Sequence, residues 1–254
     1  ISCSLVGSEM CIRDRYIGVG EIAISDNRSS QPTYEQFLDV IAQARVAGLL
    51  SGKAGVVNIH VGSGKRKLDM IFRVLKETEI PATQLMPTHV NRNTELFEQG
   101  IELVKQGGYI DLTTSSDPNF LEEGELSASE GLKRALDTGI NMNNITFTSD
   151  GNGSMPKFDE NGKLIGLGIC SVSSLYNEVK RAIKEQNVPI EIAVKVITSN
   201  VADLLRLGNK GRIISRKDAD FVLVDKDDLS ITDVYAKGEA LIEEGRIIKK
   251  GIFE

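Results

Sequence analysis

The chain of 254 residues has no tryptophan, only two histidines and three cysteines, and no run of about 20 consecutive apolar residues. The last absence excludes a membrane-spanning helix, and no membrane partner is expected. Acidic residues outnumber basic ones, 36 to 30, and the basic ones are spread along the chain. No nucleic-acid partner is expected either, because phosphate binding needs a concentrated basic face. Three cysteines do not make a disulfide framework, and two of them, Cys3 and Cys11, fall in an odd leader. Cys170 reads as a buried small hydrophobe of a reduced, cytoplasmic protein. Aromatic residues make up 5% of the chain against 41% apolar, so the core must be filled by aliphatic side chains. The length suits one large α/β domain with a small appendage.

Ile1 to Arg15 show no cationic start ahead of apolar residues and no helix or strand period, so they make a poor signal peptide. They resemble the conceptual translation of sequencing-adapter read-through, and residues 1–15 are set aside as an artefactual leader. On this reading the natural chain is expected to begin well before Tyr16.

From Tyr16 onward, short β-branched runs alternate with helical periods. Strands are expected at Tyr16–Ser25, Gly55–His60, Gln84–His89, Tyr109–Leu112 and Ile145–Thr148. Helices are expected from Thr33, with Gln36 completing a capping box, to Leu50, then at Lys67–Glu77, from Asn93 or Thr94 to Gly107, and at Ala128–Thr138. A polar excursion, Gly151–Gly168, has a hairpin turn at Asp159–Gly162, and helices follow at Val172–Gln186 and Pro189–Thr198. This alternation means parallel βαβ units. A TIM-type (β/α)8 barrel closes with eight strands, so residues 16–210 are read as its strands 4–8, with about three units missing in front. Short strands at Gly211–Ile213, Ala219–Val224, Ile231–Tyr235 and Ile247–Gly251 then assign residues 211–254 to part of a small β-sandwich.

Both histidines sit where an apolar run gives way to Gly, Asn or Arg: His60 in Asn58–Gly62, His89 in Met86–Asn93. In an α/β barrel that is the C-terminal mouth of a strand, where catalytic groups gather. Two imidazoles there suggest ligands of one metal ion. Taken singly, each is more simply a satisfied core or surface histidine. Glu21, in Gly18–Asp26, and Asp150, in Thr146–Ser154, also lie in or close a β-branched run, and four ligand-type residues on four strands favour the metal. For Asp150 alone the plain alternative is a turn cap. Arg28 and Arg92 lie a few residues beyond proposed ligands, where a guanidinium fork would take a substrate carboxylate or else form a solvated salt bridge. Ser154 lies in a run that is also an ordinary loop.

Amide hydrolysis at neutral pH needs a nucleophile better than free water. A metal lowers the pKa of bound water to about 7, and two metals about 3.5–4 Å apart grip both that hydroxide and the carbonyl oxygen. Asp150, next to Gly151 and Gly153, is placed to accept the nucleophile's proton. Other motifs fail: Gly62–Arg66 lacks the spacing of a P-loop, and Cys170 has no partner to make it a nucleophile.

The runs Ala23-Ile24-Ser25-Asp26, His60-Val61-Gly62, Pro87-Thr88-His89-Val90-Asn91-Arg92-Asn93 and Ser149-Asp150-Gly151-Asn152-Gly153-Ser154 resemble the isoaspartyl (β-aspartyl) dipeptidases of the amidohydrolase superfamily. Lys217-Asp218-Ala219-Asp220-Phe221-Val222 agrees, and the resemblance covers Tyr16 to Glu254. It implies a hydrolase with two zinc ions sharing a carboxylate, which cleaves the isopeptide bond of dipeptides linked through an aspartate side chain. It further implies that His60 and His89 hold one zinc, that Asp150 binds the other, and that Glu21 bridges them. Asp150 would pass the bridging water's proton to the leaving amine, while Arg28, Arg92 and Ser154 would hold the dipeptide's charged ends. Assembly into a homo-oligomer is expected. Three departures stand out. Glu21 occupies the place where many members carry a carboxylated lysine. The His-x-His pair of the first strand is absent, and so are the carbonyl-polarising tyrosine and a substrate-binding glutamate. Two alternatives stay open: a cyclic-amide hydrolase resembling dihydroorotase or dihydropyrimidinase, and an inactive or binding-only fragment.

Overall fold

The computed structural model of the chain describes residues 16–27, 29–115, 124–158 and 164–251. The leader, Arg28 and the turn expected at Asp159–Gly162 lie outside the described residues. The first five strands follow one another in chain order. β1 (Gly18–Ile24) pairs parallel with β2 (Val56–Val61), β2 with β3 (Leu85–Thr88), and β4 (Ile110–Thr113) with β5 (Ile145–Thr148). Between β3 and β4 side chains replace the ladder. The Thr88 hydroxyl donates to Asp111 Oδ2 at 2.7 Å, and Asn91 Oδ1 accepts the Thr113 N–H at 2.8 Å.

Four helices fill the crossovers: α1 (Tyr34–Ser51), α2 (Asp69–Glu77), α3 (Thr94–Lys105) and α4 (Ala128–Asp137). α1 begins at the expected capping box, where Thr33 Oγ1 accepts the Gln36 N–H and Gln36 Oε1 accepts the Thr33 N–H. It ends at Gly52, whose φ of 68° places it in the left-handed region that glycine adopts without a steric cost. Asn93 caps α3 through the Leu96 N–H, and Ser127 with Glu130 forms a second capping box on α4. Phe37 and Ile41 of α1, Leu96 and Phe97 of α3, and Leu132 of α4 close over Val57, Ile59, Ile110 and Leu112. A strand covered in this way is apolar at almost every position, as the sequence runs are.

After β5 an antiparallel pair, β6 (Ser154–Phe158) and β7 (Leu164–Ile169), leads to α5 (Ser174–Lys184). The helix expected at Pro189–Thr198 is instead a short α6 (Ile190–Ala193) followed by a 3₁₀ turn at Lys195–Ile197, and a further helix that was not expected, α7 (Ser199–Leu204), comes after it. Thr198, whose hydroxyl donates to Val194 O at 2.6 Å and whose backbone at φ −129° and ψ −92° leaves the helical region, separates the turn from α7.

The tail is an antiparallel meander of β8 (Phe221–Val224), β9 (Ile231–Ala236), β10 (Glu239–Glu243) and β11 (Arg246–Ile247). Lys237-Gly238 and Glu244-Gly245, all at positive φ, make its two tight turns. Two expectations fail here, and one strand was not anticipated. Gly211–Ile213 is not a strand, because Arg212 is held to Asp203 of α7 by two bonds of 2.7 and 2.6 Å. The last strand stops at Ile247, since the Ile248 and Lys249 N–H groups both turn to Leu241 O. β10 was not expected, because Glu-Ala-Leu-Ile-Glu has no strand alternation of its own. Among the described residues, no helix is long and apolar enough to cross a membrane.

Candidate metal centre

Along β1, Val19 pairs with Val57 but Ile22 with Ile59, so three steps on β1 oppose two on β2. The extra residue is a bulge at Gly20-Glu21, and such a bulge re-aims the side chain it carries. Glu21 therefore points across the strand ends toward β2 and β3.

Beyond β1 the chain is stitched to the loop after β2. The Gly62 N–H donates to Ile24 O at 3.1 Å, the Gly64 N–H to Ser25 O at 2.6 Å, and the Lys67 N–H to Ser25 Oγ at 2.8 Å. A Cβ on Gly62 would lie 2.6 Å from Asp26 Cα, so this approach requires glycine. It brings the buried Asp26 to His60, with Oδ2 3.0 Å from Nε2. The other ring nitrogen, Nδ1, lies 3.2 Å from Glu21 Oε1.

His89 follows β3 directly in a left-handed conformation, φ 62°. Its turn is closed by the Arg92 N–H on His89 O and fastened by Asn91, whose side-chain amide donates to Thr113 O and Leu126 O. The ring is 1% exposed, and its Nε2 lies 3.4 Å from the same Glu21 oxygen. Neither ring nitrogen has a hydrogen-bond partner among the described residues. The two imidazoles meet edge to face with centroids 4.6 Å apart. Ligand atoms of Glu21, His60 and His89 thus lie within 4.8 Å of one another.

The electrostatics fit a cation. His60 first, then His89, hold the Glu21 carboxyl far below the usual carboxylate range. Burial pushes the His89 imidazole down, toward the neutral form that ligates metals. The His60 ring is fixed between two carboxylates, with Nε2 on Asp26 and Nδ1 facing Glu21. Two ring nitrogens without a hydrogen bond on a buried imidazole are costly unless a further partner takes them. One carboxylate and two imidazoles are a donor set suited to zinc.

Asp150 also follows its strand in the left-handed region, φ 52°, and its carbonyl accepts the Gly153 N–H at 2.8 Å. Its charge favours protonation of His89 and opposes ionisation of the buried Cys170, but it stands outside the clustered trio. Arg92 faces that trio, with Nη1 3.2 Å from His60 Nε2 and 3.4 Å from Val61 O. Ser154 opens β6 and is exposed. Sequence reasoning gave no role to three buried carboxyls, Asp26, Asp111 and Glu178. The signal for Asp111 was available: an acid inside the apolar run Tyr109–Leu112 must find partners. Asp111 accepts hydroxyl bonds from Thr88 and from Thr146 (2.6 Å), and burial pushes it up to about 7.

The fold superposes on a β-aspartyl dipeptidase from the thermophilic, keratin-degrading Fervidobacterium islandicum AW-1, solved in complex with β-Asp-Leu dipeptide. The TM-score is 0.85 and the identity 45%, over 94% of this chain and 62% of that one. A second structure of β-aspartyl dipeptidase from that organism gives 0.82 and 41%, over 94% and 59%. N-acetylglucosamine-6-phosphate deacetylase from Pasteurella multocida gives 0.57 and 13%, over 94% and 60%, a likeness of fold alone. The chain spans about three-fifths of the length of these dipeptidases. The match to the amidohydrolase family runs over residues 25–241 and takes in His60, His89 and Asp150, so the chain belongs to that family.

Proposed function

We propose that this chain carries the metal-binding part of a zinc-dependent hydrolase of β-aspartyl dipeptides. The observation that carries the proposal is the convergence of Glu21, His60 and the unpartnered His89 on one point. Zinc held there would lower the pKa of bound water to about 7 and polarise the scissile carbonyl. Glu21 and Asp150 would together hold a second zinc, which would share the work of polarising the carbonyl and activating the water. Asp26 keeps His60 in one tautomer and orientation. Asp150 takes the proton of the attacking water and delivers it to the leaving amine. Arg92, whose Nη1 donates to Val61 O, turns its guanidinium to a substrate carboxylate, with Arg28 and Ser154 as further substrate contacts. The substrate class is supported by the relative at 45% identity whose bound ligand is β-Asp-Leu. A cytoplasmic setting, in keeping with the free Cys170, and homo-oligomeric assembly belong to the same reading.

The zinc-supplemented chain, incubated separately with β-Asp-Leu, α-Asp-Leu and dihydroorotate, should release leucine from β-Asp-Leu alone. Ring opening of dihydroorotate without leucine release would favour the cyclic-amide alternative. Zinc bound with no turnover of any of the three would assign the chain a binding-only role.

A further inference from the structure

Asp111 sits in the middle strand of three and is 2% exposed. Its two oxygens reach in opposite directions: Oδ2 accepts the Thr88 hydroxyl of β3 at 2.7 Å, and Oδ1 accepts the Thr146 hydroxyl of β5 at 2.6 Å. Thr88 is the residue before His89, and Thr146 lies four before Asp150. β3 and β4 share no ladder, so this carboxyl is one of the few polar ties between the strand that ends in His89 and those that follow. The charges of Asp150 and Glu21 both oppose its ionisation.

We infer that Asp111 is a positioning residue that sets the spacing between His89 and Asp150 by clamping the threonine of one strand to that of another. It touches neither a ligand nor the reacting atoms. The inference rests on the metal-site reading above. The clamp works in either protonation state. Ionised, the carboxylate accepts both hydroxyls. Neutral, it donates to Thr146, whose own hydroxyl then turns to Ile110 O, 3.5 Å away. Asparagine at this position can copy the neutral arrangement, accepting from Thr88 and donating to Thr146.

The test uses the full chain loaded with Co2+ alone, read by its visible absorption and by competition with a chelator. Replacing all three groups together, Thr88→Val with Asp111→Leu and Thr146→Val, leaves no orphaned polar atom and similar volume. Its thermal midpoint without metal should stay within about 4 °C of the parent. Its cobalt affinity should fall roughly tenfold or more, the scale of a lost supporting contact, with an altered cobalt spectrum. Asp111→Asn should keep most of the parent's affinity and spectrum. A triple variant that binds cobalt as tightly as the parent, with the same spectrum, overturns the clamp and leaves the metal site standing. So does an Asp111→Asn variant that loses as much affinity as the triple one, since charge would then matter rather than the two bonds. A parent chain that takes up no cobalt overturns the metal-site reading and the clamp with it.

Discussion

Replacing Asp111 by asparagine should make the metal-free chain more stable near neutrality and leave it unchanged in acid. Burial raises this carboxyl from an ordinary 3.8 to about 7 in the folded chain. The folded state therefore holds a proton that the unfolded state has released, throughout the window from about pH 4 to pH 7. Stability then falls as pH rises through that window and levels off above it. At 1.36 kcal/mol per pH unit the loss is on the order of 4 kcal/mol. Asparagine cannot titrate and keeps both threonine bonds, so it escapes the loss. Urea denaturation of parent and variant, followed by circular dichroism with a chelator present, isolates this one group because every other titration cancels in the difference. The variant's advantage should be small at pH 4.5 and grow to on the order of 4 kcal/mol at pH 8. A difference that stays constant over this range, or a variant less stable at pH 8, would refute the reasoning.

Four further outcomes are expected. Asp26→Ala frees the His60 ring, and zinc affinity measured by chelator competition should fall by roughly 10–100-fold with little change in the metal-free thermal midpoint. Gly62→Ala should weaken zinc binding by another route, because the new Cβ would come 2.6 Å from Asp26 Cα and 2.7 Å from Ser25 O and force the two loops apart. His89→Asn exchanges two buried ring nitrogens for one smaller amide and places at φ 62° a residue that tolerates the left-handed region. By calorimetry its metal-free midpoint should hold or rise, while the upward shift that zinc gives the parent disappears. Thr33→Ala should cost about 1 kcal/mol through the lost cap and leave zinc affinity unchanged, which makes it the control for stability effects alone.

Much of this architecture was legible because burial writes itself into a sequence. The parallel strands are apolar at nearly every position, and the caps at Thr33, Asn93 and Ser127 sit where helix starts were expected. Glu21, His60 and His89 were legible as ligand-type residues in or just beyond β-branched runs, and the structure brings those three together. Their mutual orientation was not legible. Glu21 reaches the histidines only because β1 is bulged, and a bulge has no marker in Gly-Val-Gly-Glu beyond its glycines. Asp26 went unassigned because its partner is 34 residues away and its position depends on a glycine contact between loops. The tail was harder still. Its strands are short and half exposed, so the alternation that identifies a strand is weak, and Glu239–Glu243 reads as readily as a helix.

The central claim is that one cation is held jointly by Glu21, His60 and His89, and the most direct test is a crystal structure of the zinc-soaked chain with anomalous data at the zinc edge. The account predicts a peak about 2.0–2.2 Å from Glu21 Oε1, His60 Nδ1 and His89 Nε2, with His60 Nε2 still on Asp26. Zinc bound elsewhere, or a His60 ring flipped so that Asp26 takes the metal's place beside Nδ1, would contradict it.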